Sequence, residues 1–418
     1  MSAPTATARE AASWVAARLR ESGFRSLFAG GCVRDRLLGL EPADYDVATD
    51  ATPEQVRRVF PRAIGVGEAF GVMLVVHGGR PVEVATFRSD DSYADGRRPQ
   101  GVRFTDDRED ALRRDFTING LFEDPSTGTV IDHVGGRADL DARTLRAIGD
   151  ADARMAEDRL RSLRAARFAA RFAMAVDPAT ERAVRAVAHD LGAVSRERIG
   201  NELRRMLSHP TRARAVELVE SLGLAPACLD EPAAACSTAR IAALPPGAAF
   251  ATALAAWMLG RAVEGRAAAT VPGTPPAADA SPARQRRWRD ALMLSNDESD
   301  ALAAAIALRT RIPAEWPAGD TACRKRLAAA PGFGPAMELL RAEGWPGAAG
   351  VDAALPALVA EELAPTPFVT GDDLVALGQA PGPAFRPLLN RAYDAQLNGE
   401  VRDRDAALRA VRGWLGLP

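Results

Sequence analysis

Leu27-Phe28-Ala29-Gly30-Gly31-Cys32-Val33-Arg34-Asp35, followed nine residues later by Asp44-Tyr45-Asp46, reads as an apolar strand, a Gly-Gly turn, a short helix and a second strand carrying two carboxylates. Side chains alternate along a strand, so Asp44 and Asp46 are expected on one face, with Tyr45 and Val47 on the other, toward a core. Two carboxylates side by side repel each other, and a hard divalent cation such as Mg²⁺ relieves that repulsion with oxygen ligands of this kind. In two-metal sites one ion activates the attacking oxygen and the other steadies the leaving phosphate oxygens. The Gly-Gly turn lets the backbone approach a phosphate, with N–H groups at a helix start and Arg34 in its first turn. Each feature alone is commonplace, since glycine suits any tight turn and Asp-x-Asp occurs in many solvated loops. Their order of strand, turn, helix and strand points to an active centre built for a triphosphate.

A chain of 418 residues is too long for one core and is expected to form about two to four domains. Its 47% hydrophobic and 26% charged residues are ordinary for a soluble globular protein. No apolar run reads as a membrane span, and the first residues, Met1-Ser2-Ala3-Pro4-Thr5, lack the basic-then-apolar order of a secretory signal. The four cysteines, Cys32, Cys228, Cys236 and Cys323, have no metal-ligand spacing and are expected to be reduced thiols in the cytoplasm. The four histidines are dispersed, so His189-Asp190 lacks the further ligands that a metal phosphohydrolase needs. Net charge is −2, so any nucleic-acid contact must come from a local patch. Lys325 is the only lysine, and nearly every positive charge is arginine.

Working outward, residues 6 to 22 have the spacing of an amphipathic helix, with Ala12, Trp14, Val15 and Leu19 as its packed side. Thr52-Pro53-Glu54-Gln55 is a helix start that combines an N-cap, a proline at the first helical position and Gln at the third. Val72 to Val76, Gly78-Gly79 and Val82 to Phe87 read as a β-hairpin. Its second strand carries Glu83, which reads as an ordinary polar position or as a third metal carboxylate. Residues 89 to 110 are polar and turn-rich and are expected to form a mobile loop, with Arg97-Arg98 favouring a lid. Strand signals fade after about residue 137. Met155 to Phe172 reads as one arginine-rich helix, followed by helices at about 178–191, 195–208 and 211–223. Beyond these the chain is Ala- and Leu-rich and helical, interrupted by a flexible connection at about 264–283 that contains Val271-Pro272-Gly273-Thr274-Pro275-Pro276. No internal repeat is evident.

On a continuous helix Asp158 and Arg161 would be neighbours one turn apart, presenting an acceptor beside donors. Facing a cleft over Asp44 and Asp46, they would complement cytosine and adenine, whose pairing edges offer an amino donor next to a ring-nitrogen acceptor. Guanine and uracil present the reverse pattern, a buried mismatch costing on the order of a few kcal/mol. Such a pair would select CTP and ATP without a template.

The chain resembles the class II tRNA nucleotidyltransferases, the CCA-adding enzymes, and the related bacterial poly(A) polymerases. The matching stretches are Gly30-Gly31-x-x-Arg34-Asp35 with Asp44-x-Asp46; Arg113-Arg114-Asp115-Phe116-Thr117-Ile118-Asn119; Asp132-x-x-Gly135-Gly136 with Asp139-Leu140; Glu157-Asp158-x-Leu160-Arg161-x-Leu163-Arg164-x-x-Arg167-Phe168; and Glu197-Arg198-Ile199. The resemblance implies an α+β fold: a nucleotidyltransferase head with a small mixed sheet at 1–150, then an all-α neck at 151–224, body at 225–345 and tail at 346–418. The tail match, Gly371-x-Asp373-Leu374 through Pro381-Gly382-Pro383, is weaker, and the body is unassigned. Asp44 and Asp46 would be the catalytic residues that hold Mg²⁺. Gly31 and Arg34 would take the triphosphate, and Arg114 with Asp115 the nucleotide and its ribose. Asp158 and Arg161 would read the base, supported by Arg164 and Arg167. Gly120 departs from the family, which usually has Ala there. The activity implied is addition of C and A from CTP and ATP to the 3′ end of tRNA in the cytoplasm, with no membrane and no protein partner inferable. A-adding, CC-adding and poly(A)-forming enzymes share these motifs. The long loop at 89–110 argues against CC-adding, and the apolar C-terminus argues against poly(A) formation. A non-catalytic RNA-binding protein is the alternative of another class, and the carboxylate pair speaks against it.

Overall fold

Thr7 accepts from the N–H of Glu10 while Glu10 reaches back to the Thr7 N–H, and this reciprocal cap starts α1 (Ala8–Glu21). Its apolar stripe, Ala11, Ala12, Val15, Ala16 and Leu19, is fully buried. The chain then runs through β1 (Ser26–Ala29), α2 (Gly31–Leu37), β2 (Asp46–Thr49), α3 (Pro53–Val59), β3 (Ile64–Gly67), β4 (Val72–His77) and β5 (Arg80–Thr86). Thr52 and Gln55 form a second reciprocal cap, with Pro53 opening α3, as the sequence predicts. The hairpin also forms, with Val75 opposite Val82 and His77 opposite Arg80.

The computed structural model describes residues 6–90, 102–261 and 280–417. Residues 89–110, read from the sequence as one loop, are structured at both ends. β6 (Arg88–Asp90) pairs with β7 (Val102–Phe104), and Asp106 caps α4 (Asp107–Leu112). Strands of three residues are too short for alternation to reveal them. The lid reading and Arg97-Arg98 lie outside the described residues.

Next come β8 (Leu121–Glu123), β9 (Val130–Asp132), α5 (Gly136–Asp141), β10 (Thr144–Leu145), α6 (Ala151–Glu157), α7 (Leu160–Arg171), β11 (Ala175–Val176), α8 (Pro178–Val187), α9 (Arg196–Leu207), α10 (Arg212–Ser221) and α11 (Ala225–Leu229). Seven strands form one mixed sheet in the order β3-β4-β5-β2-β1-β8-β9, in which only β2 and β5 are parallel. One side of β4, carrying Met73 and Val75, is buried, and Trp14 of α1 stacks on His77 at the end of that row, with ring centroids 3.8 Å apart and planes 6° from parallel.

Contacts divide the chain into two units, Met1–Met206 with Arg214–Ala233 and Leu207–Ala213 with Ala234–Pro418. Beyond residue 233 every regular element among the described residues is a helix, from α12 (Ala239–Ala242) and α13 (Phe250–Gly260) through α14 (Pro282–Leu292) and α15 (Asn296–Glu315) to α16 (Thr321–Ala328), α17 (Phe333–Ala342), α18 (Ala348–Ala360), α19 (Gly371–Ala376), α20 (Phe385–Leu397) and α21 (Arg404–Trp414). One core gathers Ile312, Trp316, Phe333, Met337 and Val351, and a separate one gathers Val369, Leu374, Ala392 and Val411. Just beyond α17, Glu343 accepts from Arg240 and Arg309, both at 2.6 Å. The proposed flexible connection lies outside the described residues up to 279, and Pro282 already opens α14. No described helix is long and apolar enough to cross a membrane.

Candidate active site

β1 ends against β2, with Ala29 opposite Asp46. The chain leaves β1 through Gly30, whose φ of 66° and ψ of −114° suit only glycine, and enters α2 at Gly31. A Cβ on Gly30 would stand 2.8 Å from Arg114 Nη1, so the missing side chain also makes room for that guanidinium. Gly30→Ala is therefore expected to destabilise the protein by about 1–3 kcal/mol through backbone strain, and by more than Gly39→Ala, because Gly39, at φ 73°, has open space around it. Equal losses in urea unfolding would mean that moving Arg114 is without effect.

Tyr45 and Val47 are buried as the alternation predicts, and Asp46 stands at the edge of the cleft. Asp44 does not belong to the strand: β2 begins at Asp46, and Asp44 lies exposed just ahead of it. The two carboxylates still feel each other. Burial, then the charges of Asp44 and Glu83, push the Asp46 carboxyl up to about 6, against the pull of Arg114. Glu83 owes its place to the parallel register of β2 and β5, in which Val47 faces Val84 and Asp46 therefore adjoins Glu83. Among the described residues no three acidic, imidazole or thiol groups are gathered tightly enough to enclose a metal. The Asp44, Asp46 and Glu83 carboxylates are oxygen donors of the kind a hard divalent cation takes. Cys32 packs beneath, donating to the Ala29 carbonyl, and burial, then the Asp46 charge, pushes its thiol up to about 12.

The cleft holds about 520 Å³ and is lined by eight arginines against four carboxylates, Asp46, Glu83, Asp115 and Asp158. Such a surplus of positive charge suits a polyanion. Each sequence-predicted arginine is braced. Arg34 donates to Asp35 Oδ1 from Nε and Nη2 (2.8 and 2.6 Å) and to Asn119 Oδ1 from Nη1, and it lies over the Phe172 ring at 4.4 Å. Arg114 donates to Asp110 at 2.8 Å and to the Asn119 carbonyl at 3.1 Å. Arg164 binds Asp115 Oδ2 from Nε and Nη2 (2.7 and 2.6 Å), and Arg167 binds Glu202 at 2.6 Å while covering the Phe168 ring at 4.1 Å. The other Asp115 oxygen accepts from the Phe116 N–H and the Asn119 amide. Burial opposes the Asp115 charge, yet Arg164, then Asn119, hold the carboxyl down at about 2.

The single helix expected over Met155–Phe172 is broken. α6 stops at Glu157, Asp158 is extended at φ −144° and ψ 102°, and α7 begins at Leu160. The Asp158 carboxylate accepts from the Leu160 N–H and from Arg198 Nη2 at 2.7 Å, while Arg161 bonds to Glu157 and to the carbonyls of Arg154 and Arg113. Both Asp158 and Arg161 line the cleft, but Asp158 stands in the break and Arg161 in the first turn of α7 rather than one turn apart on a continuous helix. Arg198, Asn119, Phe168 and Glu202 were not expected as site residues. The only sequence signal of the first three is membership of the quoted motifs, and Glu202 lies outside all of them. At Gly120 a Cβ would come within 2.7 Å of Val134 Cγ2, which accounts for glycine in place of the usual Ala.

Residues 26–146 match the family described as the poly A polymerase head domain, and residues 173–236 the one described as the probable RNA and SrmB-binding site of polymerase A. A CCA-adding enzyme of Geobacillus stearothermophilus is 43% identical over 208 residues, 50% of this chain and 51% of that one. One from Bacillus pumilus (strain SAFR-032) is 41% identical over 207 residues, 49% and 52% of the two chains. The match thus spans about half the length of the curated relatives. Over 98% of this chain and 99% of the other, the crystal structure of the Bacillus stearothermophilus CCA-adding enzyme in complex with CTP superposes with a TM-score of 0.78 at 28% identity. The Thermotoga maritima CCA-adding enzyme complexed with tRNA shares the fold, with a TM-score of 0.64 at 18% identity over 96% and 94% of the chains.

Proposed function

We propose, for a chain in which residues 26–146 and 173–236 match the poly A polymerase head and RNA-binding families, that it adds C and A from CTP and ATP to the 3′ end of tRNA, building CCA and releasing diphosphate. The observation that carries this reading is the meeting, in one cleft, of an arginine surplus with the Asp46 and Glu83 carboxylates on the sheet. The RNA 3′-oxygen bonds to the α-phosphorus as the bond to the bridging oxygen of the diphosphate breaks, and the hydroxyl proton leaves to solvent. Asp44 and Asp46 fit Mg²⁺, which when bound supplies charge neutralisation at the attacking and leaving oxygens.

The remaining work falls to positioning and fixed positive charge. Gly31 leaves the rim of the cleft bare for phosphates, and Arg34, Arg114, Arg164 and Arg167 offset their charge. Braced by carboxylates and aromatic rings, these arginines lose little side-chain freedom when the triphosphate arrives. Asp158 and Arg161 supply the acceptor and donors that read the base. The free thiols go with a cytoplasmic setting.

Asp158→Ala is expected to relax base choice more than it weakens triphosphate binding. The measurement is incorporation of each of the four nucleotides onto tRNA ending in C or CC, and continued exclusion of UTP and GTP would refute the role. The whole reading is tested by sequencing the 3′ ends of tRNAs ending at the discriminator base, C or CC after incubation with Mg²⁺ and the four triphosphates. Ordered growth to CCA followed by arrest is the expected result. Growth from CC alone, arrest at CC, or a long A tail would assign the narrower activities, and no growth would leave a binding protein.

A further inference from the structure

In-line displacement at phosphorus puts the attacking oxygen and the leaving diphosphate on opposite sides. Around Asp46 the two sides are made of different material. Toward β1 lie the Gly30 turn, Arg34 of α2, and Arg114 against Gly30. Away from β1 the sheet continues through β5, β4 and β3. There the register aligns one residue from each strand: Asp46 beside Glu83, Glu83 opposite Leu74, and Leu74 opposite Ile64. Residues paired directly across strands share a face. Asp46, Glu83, Leu74 and Ile64 therefore form one row, about 14 Å long at ordinary strand spacing, that changes from carboxylate to hydrocarbon halfway along. Val76, two residues beyond Leu74, points to the same face. The opposite face holds buried Met73 and Val75, with His77 under Trp14, whereas Ile64 is 57% and Val76 58% exposed.

We propose that this shelf of Ile64, Leu74 and Val76 carries the last nucleotide of the accepting RNA, its base flat against the hydrocarbon and its 3′-hydroxyl directed to the carboxylate end of the row. The inference rests on nucleotidyl transfer to an RNA 3′ end. Its occupant follows from three features of the shelf: it is continuous with the active site, it lies on the side the nucleophile must use, and the row contains no cation to attract a phosphate. Aliphatic side chains offer no hydrogen bonds to a base edge. The shelf thus accepts any terminal base, as a primer whose last base changes from the discriminator to C and C requires.

The test uses full-length enzyme and a tRNA without CCA that carries 4-thiouridine at the discriminator position, irradiated and analysed by peptide mass spectrometry, together with steady-state kinetics of the Ile64→Ser/Leu74→Ser variant. The expected results are an adduct within residues 64–77 and about a tenfold fall in kcat/KM for the RNA. The KM for CTP should stay within twofold of the parent, and activity should return in Ile64→Leu/Leu74→Met. An adduct confined to other segments, or an unchanged kcat/KM for the RNA in the serine variant, would overturn the shelf while leaving the transferase reading intact. A parent enzyme that extends no RNA would overturn both.

Discussion

Asp46→Ala is expected to abolish nucleotidyl transfer while leaving tRNA binding almost unchanged. This carboxylate stands at the edge of the cleft beside Glu83, and its charge is already disfavoured by burial and by Asp44 and Glu83. A cation brought to it therefore relieves an existing repulsion and places positive charge where the transition state gathers negative charge. Losing that stabilisation should lower kcat by about 10³-fold or more, roughly 4 kcal/mol. The carboxylate itself repels an RNA backbone, so binding has nothing to lose. Single-turnover extension of a CC-ending tRNA and filter binding of the same RNA separate the two effects. Transfer within tenfold of the parent would remove Asp46 from the catalytic role.

The second large effect is on stability. Asp115 is buried, and all four of its acceptor positions are engaged by Arg164, Asn119 and the Phe116 N–H, which hold its carboxyl at about 2 against an ordinary 3.8. A carboxyl whose pKa is depressed on folding stabilises the protein fully above its unfolded pKa and loses that contribution as pH falls through the folded one. Asp115→Asn keeps the shape and removes the charge. It should be less stable than the parent by about 2 kcal/mol at pH 7, and by pH 3 about half of that difference should be gone. Urea unfolding at the two pH values reads this directly. A gap that stays the same at pH 3 would show that charge is not its origin.

What could be read in the sequence was local. Thr52 and Gln55, and the glycines between β4 and β5, announce their elements through contacts within a few residues. The break at Asp158 is invisible for the opposite reason. Met155 and Leu163, eight residues apart, keep a helical spacing, no Pro or Gly intervenes, and the partner that draws the Asp158 carboxylate away is Arg198, forty residues on. Glu83 reads as an ordinary polar position because its neighbour Asp46 is set by a parallel pairing between β2 and β5, whose connection includes a helix and a hairpin. The same applies to Asn119, which joins Arg34 to Asp115, and to Glu202, which braces Arg167. The motifs contain residues that line the cleft, such as Arg34 and Arg164, while the long-range pairing sets which partner each one has.

The stack of Trp14 on His77 offers an optical handle on the unit that holds the cleft. Trp14 is the one tryptophan of the first unit, while those at 257, 288, 316, 345 and 414 all belong to the second. With the latter five replaced by phenylalanine, emission would report only the region that holds the cleft. An indole in face-to-face contact with an imidazole is quenched, so melting of α1 from the sheet should brighten the signal. Compared with far-ultraviolet dichroism, which is dominated by the helices, that single emitter would show whether the two units unfold together or in sequence.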